Sequence, residues 1–258
     1  PGVSHDPDGA KQFLERIGIH PVSANRWPVW EELAFEDKQI LVSAVIDQMV
    51  AYGKTTDRLF ADHYLFSDES RSQASLRNAS EFATMLNSCG RWKRPELGGR
   101  ICRGDRVAAY REAEQMLRNH RSKIREVMAY ITDTGVSELS HMLYIHVGDR
   151  FPDTIVGIGA GMSLSRLNPD KPILIMCEDS LDPSKTKISM RTRPEVVGRG
   201  VDLQKALSLA CERFEGSSGG GHRIAAGAFI PREAEREFIE DVNRILQQQY
   251  AQTSPNPC

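Results

Sequence analysis

Three features of the sequence predict an α/β protein, with a mixed sheet covered by helices after a mostly helical region. Beyond Gly135, short apolar runs typical of strands alternate with longer amphipathic stretches typical of helices. Before Gly135, apolar residues recur mainly at steps of three and four, which indicates helices. Glycines and prolines cluster between these segments, where they mark turns. Strands and helices in alternation indicate a sheet with helices packed on it.

The individual elements follow from the same periodicities. The first fifty residues predict short helices broken by proline, the longest over 36–52 with one buried face. Its apolar residues are Ile40, Leu41, Ala44, Val45 and Met49. Next come a predicted strand over 62–66, a helix over 80–88 capped by Asn78 and Glu81, a bend over 90–104 and a helix over 105–130. The sheet is predicted from strands over 142–147, 172–177, 187–193 and 224–230, with helices over 154–164, 203–214 and 233–249.

Composition limits the classes of protein to consider. The 258 residues include 33 basic and 35 acidic ones, so any attraction to nucleic acid must come from local patches. Neither an apolar run of about 18 residues nor a signal peptide is present, and we expect a cytoplasmic protein. The five cysteines show no CxxC spacing, which argues against a disulfide framework and a zinc site. The first residue is Pro1, from which we expect a fragment that lacks its natural N-terminal part.

A glycine-rich run is the first candidate binding site. It is predicted to be a loop between the helix that ends near Phe214 and the strand that begins near Ile224. Backbone N–H groups of Gly219, Gly220 and Gly221 could form a concavity for phosphate, to which His222 could donate a hydrogen bond. The alternative is a flexible connector with a surface histidine. The small residues Ala225, Ala226 and Gly227 that follow favour the rigid loop.

A second candidate site lies in the predicted strand over 187–193. Ser189, Arg191 and Arg193 stand at steps of two, which places their side chains on one face of a strand. Two guanidiniums and a hydroxyl can hold phosphate groups. Alone, the pattern is more typical of an edge strand protected by charge. Together with the glycine run, it favours phosphate binding.

Two further patterns carry alternatives. Eleven basic residues between Arg91 and Arg125 could follow a nucleic-acid backbone, bind an acidic partner or form a solvated helix face. The GxGxG at 157–161 lacks the complete dinucleotide fingerprint and predicts a closely packed helix. The pairs Asp62-His63 and Asp6-Asp8 lack the further ligands of a two-metal centre, so no metal site is predicted in this chain.

At this point the sequence resembles a known family. Residues 201–228, with the pattern GGGHxxAAG, resemble the DHH-associated domain of DHH phosphoesterases. Residues 76–91 and 153–157 resemble the archaeal RecJ-like nucleases. The resemblance implies a helical linker region over 1–52, a middle α+β insertion over 53–134 that could bind a partner, and a DHH-associated substrate-binding domain over 135–258. It also implies an N-terminal DHH domain with Asp and His ligands for manganese, whose motif this sequence lacks.

The resemblance implies one function and leaves alternatives. The first is the substrate-binding half of a manganese-dependent single-strand exonuclease, a hydrolase acting on DNA or RNA, without a catalytic residue here unless His222 assists. In this interpretation the glycines, His222, Ser189 and Arg191 hold the strand, and Arg193 extends the grip. The second is an inactive replisome scaffold that binds the GINS complex through residues 53–134. The related domain of alanyl-tRNA synthetases is a third, but we identify no counterpart of residues 76–91 in it.

Overall fold

The computed structural model describes residues 3, 6–23, 26–57, 59–70 and 73–253. The chain forms two compact units, Pro1–Tyr64 and Leu65–Cys258. Within the described residues, no helix is both long enough and apolar enough to cross a membrane.

The described residues of the first unit form two α-helices, α1 (Pro7–Arg16) and α2 (Phe35–Ala51). The Asp6 carboxylate caps α1 by accepting a hydrogen bond of 3.0 Å from the Gly9 N–H. The helix predicted over 36–52 is confirmed as α2, but its predicted buried face is wrong, because α2 has no buried residue. A unit of this size has little interior, so the apolar residues of α2 are only partly covered.

Among the described residues, the second unit has four helices before its sheet: α3 (Ala74–Arg77), α4 (Ala79–Arg91), α5 (Pro95–Cys102) and α6 (Ala108–Thr134). Their shared core includes Leu76, Met85, Leu97, Ile101 and Leu117. The predicted bend over 90–104 is wrong in its middle, where α5 starts at a proline, which is tolerated in the first turn of a helix. The predicted strand over 62–66 is also wrong, since among the described residues Leu65 forms only an isolated bridge.

The N-terminus of α4 confirms part of the predicted cap. The Asn78 side-chain oxygen accepts hydrogen bonds from the N–H groups of Ser80 and Glu81, at 2.9 and 3.2 Å. The Glu81 carboxylate forms an ion pair of 2.5 Å with Arg121 of α6. This pair ties α4 to the longest helix of the unit.

The rest of the second unit is a six-stranded mixed sheet with helices, which confirms the predicted fold class. Its elements are β1 (Ser137–Glu138), β2 (Leu143–His146), α7 (Asp153–Ser163), β3 (Ile173–Glu178), β4 (Lys185–Arg191), α8 (Pro194–Gly198), α9 (Leu203–Cys211), β5 (Ser218–His222), β6 (Ala225–Pro231) and α10 (Glu235–Thr253). The strand order is β1-β2-β3-β4-β6-β5, in which β2 and β3 are parallel and all other neighbours antiparallel.

Each face of the sheet has its own hydrophobic core. On one face, Leu174 and Met176 of β3 pack in a cluster with α9 and α10. On the other face, here called the α7 face, Ile173, Ile175 and Cys177 pack in a cluster with α6 and α7. Successive strand residues point to opposite faces, so a buried central strand must be apolar throughout. The run Ile173–Glu178 meets this requirement in all but its last residue.

The α7 face is covered over β2 and β3 but open over β4 and β6. Residues 188 and 190 of β4 and residues 226, 228 and 230 of β6 belong to the core of the opposite face. The intervening residues point to the α7 face and are polar, small or partly exposed. They are Lys187, Ser189, Arg191, Ala225, Gly227 and Phe229. An accessible part of the sheet therefore lies beside α7.

The packing of α7 against α6 depends on one glycine. A Cβ at Gly159 would lie 2.3 Å from Cγ1 of Val127, whereas at Gly161 it would meet only Arg191 carbons at 3.9 Å. We expect Gly159→Ala to lower the free energy of unfolding by about 1 to 3 kcal/mol, because a β-branched neighbour cannot move aside. Gly161→Ala should keep or raise stability by up to ~1 kcal/mol through helix propensity. Urea unfolding followed by circular dichroism measures both, and equal effects would refute the packing argument.

Candidate functional site

The open part of the α7 face forms a cleft of about 260 Å³. Its floor is made by β4 and β6, and its walls by the N-terminus of α7 and the end of α4. The polar side chains that line it come from Arg91, Asp153, Thr154, Lys187, Ser189 and Arg191.

The register of the strands arranges the floor in three rows. Arg191 stands opposite Ala225 and Ala225 opposite His222, while Ser189 stands opposite Gly227 and Gly227 opposite Gly220. The third row is Lys187, Phe229 and Ser218. Directly opposed residues point to the same face, so the predicted residues Ser189, Arg191 and His222 lie on one side of the sheet. Only small residues lie between them.

Arg191 is the central cation of the cleft. Its Nη1 donates to the carbonyls of Met190 at 2.8 Å and Ala226 at 3.2 Å. Burial lowers the pKa of its guanidinium, and the positive charge of Arg91 lowers it further. No described carboxylate forms an ion pair with Arg191 or Arg91. A partly buried cation without a counter-charge favours an anionic ligand.

Arg91 reaches the cleft from the helical part of the unit. Its Nη1 donates to the Thr154 carbonyl at 2.6 Å, and the Thr154 hydroxyl donates to the Arg91 carbonyl at 3.0 Å. This reciprocal pair fixes the last residue of α4 beside the first turn of α7. The N–H groups of a first helical turn and a guanidinium both attract negative charge.

A partly buried hydrogen bond holds the residue next to Arg91. The next residue, Trp92, donates from Nε1 to Nδ1 of His120 on α6 at 3.3 Å. Burial lowers the pKa of His120, and the positive charges of Arg91 and Arg121 lower it further. The neutral imidazole can accept this bond, whereas the protonated ring has no acceptor.

The start of α7 lies against the two functional groups of β4. A Cβ at Gly157 would stand 2.6 Å from Nη2 of Arg191 and 3.0 Å from Oγ of Ser189. Both groups therefore converge on the backbone of Gly157. This contact and the packing of Gly159 confirm the closely packed helix predicted from the GxGxG pattern.

The cleft carries a net positive charge. Lys187 forms an ion pair of 2.9 Å with Asp153, and its Nζ lies 5.5 Å from the centre of the Phe229 ring. The lining residues thus include three cations, Arg91, Lys187 and Arg191, against one carboxylate, Asp153. Two of the positive charges are uncompensated within the described lining.

The glycine-rich run differs from its prediction. It is not a loop but the edge strand β5, joined to β6 by a two-residue turn at Arg223 and Ile224. Gly219 is close to α9, since a Cβ there would lie 2.8 Å from Sγ of Cys211, and Gly221 has a φ of +137°. Gly221 lines the cleft, Gly220 points to the same side as Ser189, and His222 is exposed. Pairing with β6 outweighs the low strand propensity of glycine.

The prediction for Arg193 is also wrong in its placement. Strand β4 ends at Arg191, and Arg193 is the N-cap residue of α8. Its guanidinium donates a hydrogen bond to the Leu164 carbonyl instead of lining the cleft. Proline at position 194 starts α8 and ends the extended segment, so the step of two does not continue along the sheet.

About half of the basic stretch between Arg91 and Arg125 is neutralised. Six of its eleven cations form ion pairs with carboxylates of the described residues. They are Arg94, Arg100, Arg106, Arg118, Arg121 and Lys123. This pattern fits the solvated helix face. Of the stretch, Arg91 alone lines the cleft as defined by the described residues.

Sequence reasoning counted Arg91 in the basic stretch but did not assign it to the binding site. Phe229 was not singled out either, although its step of two from Gly227 places both on one side of β6. That step is the signal that could have identified Phe229. No local signal brings Arg91 to Thr154, because 63 positions separate them.

The described residues do not fit a manganese centre. Among them, no group of three or more His, Cys, Asp or Glu could hold a metal ion. We therefore derive no step of a reaction through a metal at this cleft.

Family comparisons place the cleft in a known domain. Residues 140–248 match the model of the DHHA1 domain, and residues 1–60 match that of the DHH-CID domain. Both strands of the cleft floor, together with β5 and α7, fall within the first match. The second unit thus contains a DHHA1 domain. The chain thus matches two domains of the DHH family, and its fold is similar to that of RecJ.

One relative and two solved structures are similar to this chain. The chain is 28% identical over 240 residues to an uncharacterized protein of Methanocaldococcus jannaschii, which covers 93% of this chain and 48% of the relative. RecJ of Thermus thermophilus in complex with Mn²⁺ is similar with a TM-score of 0.52 and 17% identity, over 66% of this chain and 24% of that one. The same protein in complex with Mg²⁺ is similar with a TM-score of 0.52 and 16% identity, over 95% of this chain and 35% of that one. The chain thus spans about half the length of its curated relative.

Low pH should weaken the hydrogen bond between Trp92 and His120, which holds the end of α4 next to Arg91. The pKa of His120 lies below the value of 6.5 that applies to the unfolded chain, so the unfolded state takes up the proton first. The contribution of His120 to stability is therefore present above that value and is lost as the pH falls below it, through the lowered pKa of the folded state. His120→Gln cannot titrate, and its free energy of unfolding should depend less on pH. If urea unfolding gives the same pH dependence of the free energy of unfolding for the intact chain and for His120→Gln, His120 is not the cause of that dependence.

Proposed function

We propose that the cleft binds the sugar-phosphate backbone of single-stranded nucleic acid. The observation that carries this proposal is the convergence of Arg191, Ser189 and Arg91 without a carboxylate partner for either guanidinium among the described residues. The acceptors that these guanidiniums have are neutral carbonyls, whereas a phosphate offers acceptor oxygens that carry negative charge.

The shape of the floor supports an extended ligand. Ala225 is the residue between Arg191 and His222 in their row, and Gly227 and Gly220 continue the row of Ser189. These small residues let a backbone approach the sheet closely. His222 lies in the same row as Arg191, with Ala225 between them, so it would be near a phosphate held by Ser189 and Arg191. His222 could then donate a hydrogen bond to the strand.

In this proposal the chain is the strand-binding part of a RecJ-like single-strand exonuclease that acts in DNA replication and repair. Hydrolysis of the phosphodiester would use manganese and water in a DHH domain, whose ligands the described residues do not supply. The contribution of this chain is to hold the strand so that one phosphodiester meets that centre. Both DNA and RNA present the phosphates that the cleft requires.

Strand binding can be measured directly with this chain. We expect a labelled, 5′-phosphorylated single strand to bind with an affinity that falls as salt rises, because contacts to phosphate release counterions. Arg191→Ala should weaken binding by about 1.5 to 3 kcal/mol and reduce the salt slope by about one. His222→Ala should weaken it less. Fluorescence anisotropy at two salt concentrations gives all of these values.

The matched control is Arg236→Ala. This guanidinium is exposed on α10, at the opposite face of the sheet, and its removal changes the net charge equally. If Arg191→Ala and Arg236→Ala have the same small effect, binding reflects overall charge and the proposed cleft is wrong. If the intact chain binds no strand, the scaffold alternative should be tested next with purified GINS.

The contact at Gly157 provides an independent test. In Gly157→Ala the new methyl group occupies the position that Nη2 of Arg191 approaches to 2.6 Å, so the guanidinium must move away. Because the end of an arginine side chain is flexible, we expect affinity for the strand to fall roughly tenfold with little loss of stability. Anisotropy and thermal unfolding measure the two quantities.

Gly161→Ala is the control for this helix. Its methyl group would meet only Arg191 carbons at 3.9 Å, which is ordinary contact, and affinity should be unchanged. Equal affinities for the two variants would show that the position of Nη2 does not matter for binding.

A further inference from the structure

Phe229 is an aromatic side chain in an otherwise small or polar floor. Its neighbours in β6, Ala228 and Ile230, point to the opposite face and are buried in the core with α9 and α10. Phe229 points to the α7 face, lines the cleft and is partly exposed. It belongs to neither hydrophobic cluster of the sheet. Packing of the protein itself therefore does not account for an aromatic residue at this position.

The Phe229 ring is held in place from one side. The Lys187 ammonium lies 5.5 Å from the ring centre and forms an ion pair of 2.9 Å with Asp153. Both partners of that pair are largely shielded, with 22% and 10% of their side chains exposed. A cation at the ring, anchored by a carboxylate, restricts the motion of the ring. A restricted ring loses little entropy when a ligand stacks on it.

The distance between Phe229 and the phosphate donors suits a nucleotide. Phe229 is one row from Ser189 and two rows from Arg191, and a row corresponds to two residues, roughly 6.6 Å along a strand. Gly227 and Gly220 fill the row of Ser189, so no side chain of β6 or β5 stands between that hydroxyl and the ring. A phosphate bound at Ser189 would therefore lie about one row, roughly 6.6 Å, from the Phe229 ring, a gap that the sugar of a nucleotide could span.

We infer that Phe229 is a stacking platform for a nucleobase next to the phosphate held by Ser189 and Arg191. The inference rests on the proposed function and adds that the cleft recognises a base as well as the backbone. An aromatic ring stacks on every base, because every base presents a π-face. The ligand is thus a nucleotide unit of a strand without a required base sequence.

The test compares a strand with bases and a strand without them. Labelled hexathymidylate and the fully abasic strand of equal length carry the same phosphates, so the ratio of their affinities reports the contribution of the bases. We expect the intact chain to prefer hexathymidylate roughly tenfold. Phe229→Leu keeps an apolar side chain but loses the ring, and its preference for hexathymidylate over the abasic strand should fall to about one. Phe229→Trp should retain the preference.

Phe214→Leu is the matched control. Phe214 is also partly buried and has a guanidinium 6.0 Å from its ring centre, but it packs against the opposite face of the sheet. This variant should keep the tenfold preference. Thermal unfolding of each variant verifies that it is folded before its affinities are compared.

The outcomes separate this inference from the proposed function. One outcome would overturn the stacking role alone. In it, Arg191→Ala loses affinity for both oligonucleotides, while Phe229→Leu prefers hexathymidylate over the abasic strand as strongly as the intact chain does. No preference for bases in the intact chain would also overturn it. Unchanged affinity in Arg191→Ala, or no binding of either strand, would overturn the proposed function itself.

Discussion

The cleft depends on the close approach of α7 to β4 at Gly157. Without a Cβ at this position, the first turns of α7 can lie beside Nη2 of Arg191 and Oγ of Ser189. The same helix packs against α6 at Gly159, where a side chain would collide with Val127. Two glycines thus set the position of α7 between the long helix and the sheet. The position of α7 in turn determines three features. They are the wall of the cleft, the coverage of β2 and β3 on the α7 face, and the contact between Thr154 and Arg91 of α4.

The electrostatics of the cleft are costly for the isolated protein and useful for an anionic ligand. Burial and the charge of Arg91 both lower the pKa of Arg191, which means that the charged guanidinium is destabilised where it stands. Two backbone carbonyls accept its hydrogen bonds, but they supply no full negative charge. An anion supplies that charge and offsets the cost. Arg91 belongs to the helical part of the unit, so helix packing and the binding surface of the sheet are physically linked through Arg91 and Thr154.

Local periodicity predicted most of the second unit correctly. Strands β2, β3, β4 and β6 and helices α7, α9 and α10 were anticipated, because their apolar residues repeat at the period of the element that they form. Strand β5 was missed, since three consecutive glycines carry no period and their pairing with β6 is decided by the hairpin turn. Helix α5 was missed for a related reason. Glycine and proline at 95–99 indicated a bend, whereas Pro95 begins the helix and Leu97 and Ile101 hold it in the core.

The sequence by itself determined the fold class and the resemblance to the DHH phosphoesterases. It also determined the shared face of Ser189 and Arg191, because side chains at steps of two in a strand point the same way. Tertiary structure decided which other residues join them. The register of β5 on β6 brings His222 level with Arg191, the packing of α4 beside α7 brings in Arg91, and Pro194 turns the chain so that Arg193 bonds to Leu164. These contacts join positions far apart in the chain, and their geometry depends on helix packing and strand pairing rather than on any local pattern.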